Sequence, residues 1–135
     1  MSQADLVAVV NRIDSRIRSH PWMDFEIWEY VGGNLIVAGF IDTTVEPDLF
    51  IKFDGVFLLS LPAEWNTDTS KRVFQMLEGE EARQWNLRFK VEIGNTLFSF
   101  APEHYSPDFK CVVAAKSVRM STTLEGLKVP PLRDR

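Results

Sequence analysis

The stretch LFIKFDGVFLLSLP, residues 49–62, decides the fold, and it reads in two ways. Asp54-Gly55 is a type I′ hairpin signal, because both central positions of that turn need positive φ. A hairpin places Leu49, Ile51, Phe53, Val56, Leu58 and Ser60 on one face. A single long strand instead aligns Leu49, Ile51, Phe53, Gly55, Phe57, Leu59 and Leu61, a set whose period of two never breaks. The unbroken period predicts one long strand over 49–61, bulged at Gly55, with Phe53, Phe57 and Leu59 buried together.

Upstream, Phe25 to Tyr30 and Leu35 to Ile41 read as a hairpin around Gly32-Gly33-Asn34. Before them Leu6, Val10, Ile13 and Ile17 follow at helical spacing, with Ser2 and Asp5 placed for a capping box. Asp14 and Arg18 can pair at i,i+4 on that helix's exposed side, and His20-Pro21 stops it. Downstream, 62–70 reads as a polar loop carrying Trp65, 72–77 as a strand and 78–84 as a loop or single helical turn. Leu87, Phe89, Val91 and Ile93 alternate with charged residues and predict a half-buried strand, turning at Gly94-Asn95 into Thr96–Phe100. Phe109 to Met120 is the last strand, with a phase slip at Ala114-Ala115 that suggests a bulge.

A helix followed by six or seven strands on short turns, with no βαβ crossover, predicts an α+β domain: the N-terminal helix on one curved, mainly antiparallel sheet. A two-sheet sandwich or partial barrel is the alternative. The 135 residues fit one domain, residues 1–121, followed by a loose tail, 122–135. The net charge of −4 makes nucleic acid an unlikely partner, because counterion release rewards basic surfaces. No run is long and apolar enough for a membrane helix, and no signal-peptide pattern opens the chain. With Cys111 as its one cysteine, the chain can form no internal disulfide, which suits a reducing cytoplasm.

Sites of chemistry are sparse. Two histidines, His20 and His104, and one cysteine offer no metal-ligand spacing, so neither a metal nor another cofactor is implied. Glu103-His104 with Asp108 is the one local cluster of potential ligands, and it reads as a polar loop between two strands. Cys111 shares the phase of Phe109 and Val113 and reads as a buried thiol. Neither a nucleophile elbow nor a phosphate loop is present. Arg12, Arg16 and Arg18 could grip an anion or an acidic partner from the first helix. Trp28, Tyr30, Trp65 and Trp85 are the candidate partner-binding residues, since half-exposed aromatics anchor interfaces and ligand clefts. Trp28 and Tyr30, two apart, are expected on one face, opposite Phe25 and Ile27.

The block KFDGVFLLSLP, a strand ending before a Trp-bearing loop, resembles small bacterial immunity proteins built from a helix and an antiparallel sheet. It spans eleven of the 135 residues, and no site residue follows from it. The expected function is a small non-catalytic cytoplasmic interaction protein, an immunity-type inhibitor or adaptor, that offers an acidic, aromatic surface to a protein partner. A second copy could add at a sheet edge or the aromatic patch. The alternative is a small-ligand pocket on the sheet, with hydrolase or isomerase chemistry at His104 and nearby acids.

Overall fold

The computed structural model describes residues 2–128. Helix α1 (Gln3–Arg18) opens with the expected capping box. Asp5 N–H donates to Ser2 Oγ at 3.1 Å and Ser2 N–H to the Asp5 carboxylate at 3.3 Å, which satisfies donors the helix start would otherwise orphan. Leu6, Val10, Ile13 and Ile17 are all buried. Asp14 is a correction, because it is buried too. Its Oδ1 accepts the backbone N–H groups of Val73 and Phe74 at 2.8 and 2.9 Å. The Arg18 and Arg72 guanidinium groups stand 3.7 and 3.9 Å from Oδ2. A carboxylate is tolerated there because donors surround it.

Strands β1 (Met23–Val31) and β2 (Asn34–Phe40) form the expected hairpin, with Gly32 and Gly33 at φ +59° and +78° between them. The chain continues through β3 (Leu49–Asp54), β4 (Leu58–Ser60), β5 (Glu64–Thr67), β6 (Phe74–Met76), α2 (Gly79–Phe89), β7 (Thr96–Phe100), β8 (Cys111–Ala115), β9 (Ser117–Ser121) and α3 (Leu124–Lys128). All pairings are antiparallel, in a five-stranded sheet ordered β5-β1-β2-β3-β9 and a four-stranded sheet ordered β4-β8-β7-β6. The α+β class with a helix on antiparallel strands holds. The strands divide between two sheets, as in the alternative arrangement, and do not close a barrel.

Residues 49–61 neither fold back at Asp54-Gly55 nor form one strand. The chain runs straight on from one sheet into the other, with Gly55 at φ +64° on the corner. Its partner makes the reverse crossing, β8 to β9, at Lys116. The two ladders are joined by hydrogen bonds from Phe57 N–H to the Ala114 carbonyl, 2.7 Å, and from Lys116 N–H to the Asp54 carbonyl, 3.0 Å. Between the pairs Asp54↔Ser117 and Leu58↔Ala114 one segment takes four steps and the other three. That extra residue bends the ribbon, as a bulge does. Leu59 and Leu61 still reach the main core, but Phe57 is exposed, because the corner breaks the period that would have buried it.

Helix α1 packs against β6 and β9 and so lies over the gap between the sheets. Its apolar face meets Phe25, Val37, Ile51, Phe53, Phe74, Phe98 and Phe100 in one core. The half-buried strand expected over Leu87–Ile93 is a second correction. Residues 79–89 are helical, Lys90 ends the helix in the left-handed region at φ 53°, and Leu87 and Ile93 are exposed. Ala82 and Trp85, three apart, pack α2 onto Leu97, Val112 and Ala114 on the outside of the smaller sheet. Of the tail expected from Thr122, α3 lies on the outside of the larger sheet with Leu127 buried against Ile36 and Phe50. Residues 129–135 lie outside the described residues. None of the described helices is long and apolar enough to cross a membrane.

Candidate protein-interaction face

The expected aromatic group comes apart, and one member gains by it. In β1 the register with β2 slips between Ile27↔Val37 and Glu29↔Ile36, leaving Trp28 as the extra residue of a bulge. Cross-strand partners share a face. Glu29, opposite Ile36, therefore points outward with Trp28, whereas Tyr30, opposite the core residue Leu35, belongs to the other side. The expectation that Trp28 and Tyr30 share a face fails because the bulge inverts the phase between them. Tyr30 is half-exposed beyond the core.

Trp65 does not lie in a loop. It sits on β5, is 2% exposed, stacks on Phe25 at 5.6 Å and meets Phe100 edge-on at 5.1 Å. Trp85 belongs to α2, half-buried, and stacks on Phe89 at 5.0 Å. Trp22 is exposed, with its indole N–H donated to the Ile41 carbonyl at 2.8 Å. The four tryptophans thus serve four separate places.

Trp28 is 41% exposed and stands against Phe50 at 5.6 Å and Phe40 at 6.4 Å. These rings continue an outward band of Ile36, Ala38, Phe40 and Phe50 that Leu124 and Leu127 of α3 cover from one side. Beside Trp28 is an open hollow of about 310 Å³ lined by Glu46, Pro47, Phe50, Leu124 and Glu125. A second, of about 270 Å³, is bordered by Glu29, Val31, Ile36 and Lys52, and a third, of about 210 Å³, by Asp24, Glu26, Phe40 and Glu64. These sit at or below the lower end for small-molecule pockets.

The acids were present in the sequence as undistinguished charges, and strand register is what groups them. Glu26 lies directly opposite Glu64, and Asp24 opposite Asn66. Asp24 has its pKa raised, first by partial burial and then by the nearby Glu103 carboxylate, while the Asn66 amide donating at 2.9 Å works against both. Alternation shows which residues of β1 share a face. Only the pairing with β5, a strand read as loop, could have brought Glu64 to Glu26.

Arg12, Arg16 and Arg18 are exposed on α1. Arg18 is tied to the adjacent loop, donating to the Thr69 and Ser70 carbonyls at 3.4 Å each, so the three do not converge. His104, in the left-handed region at φ 67°, pairs with Glu103 at 3.1 Å. It borders a hollow of about 350 Å³ with Lys71, Gln75 and Tyr105. Cys111 is fully buried, and that burial pushes its thiol up to about 12. Among the described residues no cluster of three or more His, Cys, Asp or Glu is arranged to hold a metal. Comparison of the chain with family models, curated proteins and solved structures finds no match.

Proposed function

We propose that the chain is a small cytoplasmic interaction protein without catalysis of its own, and that it holds a protein partner on the outer face of its five-stranded sheet. The observation that carries this reading is Trp28 itself, which stands half-exposed on the outer side of the sheet against Phe40 and Phe50 of an apolar band. A large aromatic left half-exposed among apolar neighbours and ringed by polar groups has the anatomy of a hot spot. An immunity-type inhibitor and an adaptor both work in this way. The cytoplasmic assignment is supported by the reduced, buried thiol of Cys111. The rival ligand-binding or hydrolytic reading draws less support, since the His104 side chain is 83% exposed at the rim of its open hollow and water is not excluded from it.

Photocrosslinking from position 29 in the native cell tests the proposal. A photoreactive side chain in place of Glu29 should yield one discrete adduct, lost when Trp28→Ala is added. The same adduct at full yield with Trp28→Ala would overturn it.

A further inference from the structure

Building on the reading of the Trp28 face as a partner site, we infer that its occupant is a basic protein segment, with Lys or Arg side chains flanking one apolar side chain that packs on Trp28. The charge pattern of the face leads there. Glu26, Glu29, Glu46, Glu64 and Glu125 all border its three hollows, and none of them has an ion-pair partner among the described residues. The cations of the same face are already engaged. Lys52 Nζ and Arg119 Nε each lie 3.6 Å from a different oxygen of Asp54, and the two side chains are only 17% and 23% exposed. Among the described residues, these two cations are thus held by Asp54 and do not complement the rim.

The sheet also carries a stability cost that a cationic partner would relieve. Glu26 and Glu64 are directly opposed across the β1–β5 ladder, and like charges so placed are destabilising. A guanidinium or ammonium seated between these carboxylates converts repulsion into affinity and speeds encounter. A second copy of this chain fits badly, because it would bring its own acids over these and keep its cations on its own Asp54. Phosphate backbones would meet the same repulsion. The hollow beside Trp28 suits a single large side chain, so the band supplies one anchor and the acids supply the orientation.

The test selects a phage-displayed library of random linear peptides on the immobilised full chain. Enriched peptides should carry net positive charge and an aliphatic or aromatic residue. Their affinity should fall at least about tenfold in the triple variant Glu26→Gln, Glu29→Gln, Glu64→Gln, as for charge pairs at interfaces. It should fall similarly from about 0.1 to 1 M salt, where the screening length drops from ~10 to ~3 Å. Trp28→Ala should abolish it. The triple variant should melt no lower than the parent, since it removes repulsion and leaves the apolar band intact. Neutral or acidic peptides that still require Trp28 would overturn the inference while leaving the interaction face standing. Peptides that bind Trp28→Ala equally well, or no enrichment at all, would overturn both. A dimer seen by sedimentation and lost with Trp28→Ala would assign the face to a second copy and overturn the basic partner.

Discussion

Two aspartates show how position decides what a carboxylate does. Asp14 is buried and accepts two backbone N–H groups from the segment that leads into β6, so it fastens helix to sheet. Asp14→Ala leaves both donors unsatisfied and should cost about 2–4 kcal/mol in urea unfolding. Asp14→Asn keeps the Oδ1 acceptor and should cost clearly less; equal losses would mean that the negative charge, and not the accepted bonds, matters. Asp24 works the other way. Its folded-state pKa lies above the ordinary value of 3.8, so the folded protein holds that proton more tightly than the unfolded chain does. Its contribution to stability is then lost as pH rises through the folded pKa. Asp24→Asn, which can still accept from Asn66, should melt higher than the parent at neutral pH. The two should converge below about pH 3, where Asp24 is protonated in both states. A constant gap across pH would remove the electrostatic cause.

At the scale of elements, the corner at Gly55 is the structural hinge of the fold. Its φ of +64° disfavours any side chain, and a Cβ there would lie 3.0 Å from Lys116 Cδ and 3.1 Å from Cγ. Gly55→Ala should cost about 1–2 kcal/mol from the backbone alone. Adding Lys116→Ala should recover only the steric part, and full recovery would show the backbone to be unstrained. This corner also marks where sequence stops being sufficient. Periodicity exposed the helix at residues 3–18, the hairpin around Gly32-Gly33 and the strand at Thr96–Phe100, each with a single consistent period and a stop signal. Around Gly55 it signalled the extra residue, whereas Ala114-Ala115 pair in unbroken register and the irregularity on that segment is the crossing at Lys116. That the two irregularities face each other and turn one ribbon into two sheets is a long-range fact. Leu87, Phe89, Val91 and Ile93 misled for a different reason: their alternation coexists with the helical spacing of Ala82 and Trp85, and packing on Leu97 and Val112 selected the helix. The aromatic site suffered likewise, since one bulged residue at Trp28 sends Tyr30 to the opposite face and no local pattern announces it.

For the whole molecule, the division of labour among tryptophans separates folding from binding. Helices α1, α2 and α3 occupy the gap and parts of both outer sheet faces, so apolar surface left uncovered beside Trp28 is not demanded by the core. Trp28→Ala removes two ring contacts at a half-exposed position and should lower stability by about 1 kcal/mol. Trp65→Ala removes a fully packed ring from the main core and should cost roughly 3–5 kcal/mol. Binding should respond in the opposite order, with truncation of the central aromatic anchor weakening a partner by about 2 kcal/mol or more. Trp65→Phe, which retains most of the core volume, should bind normally at temperatures where it is folded. His20→Gln combined with His104→Gln should also bind normally, because neither histidine borders the Trp28 face. Thermal melts alongside titrations of the crosslinked partner separate these effects. If the double histidine variant stays folded yet loses function while Trp28→Ala keeps it, the chemistry belongs to the His104 loop, and the outer sheet face is only surface.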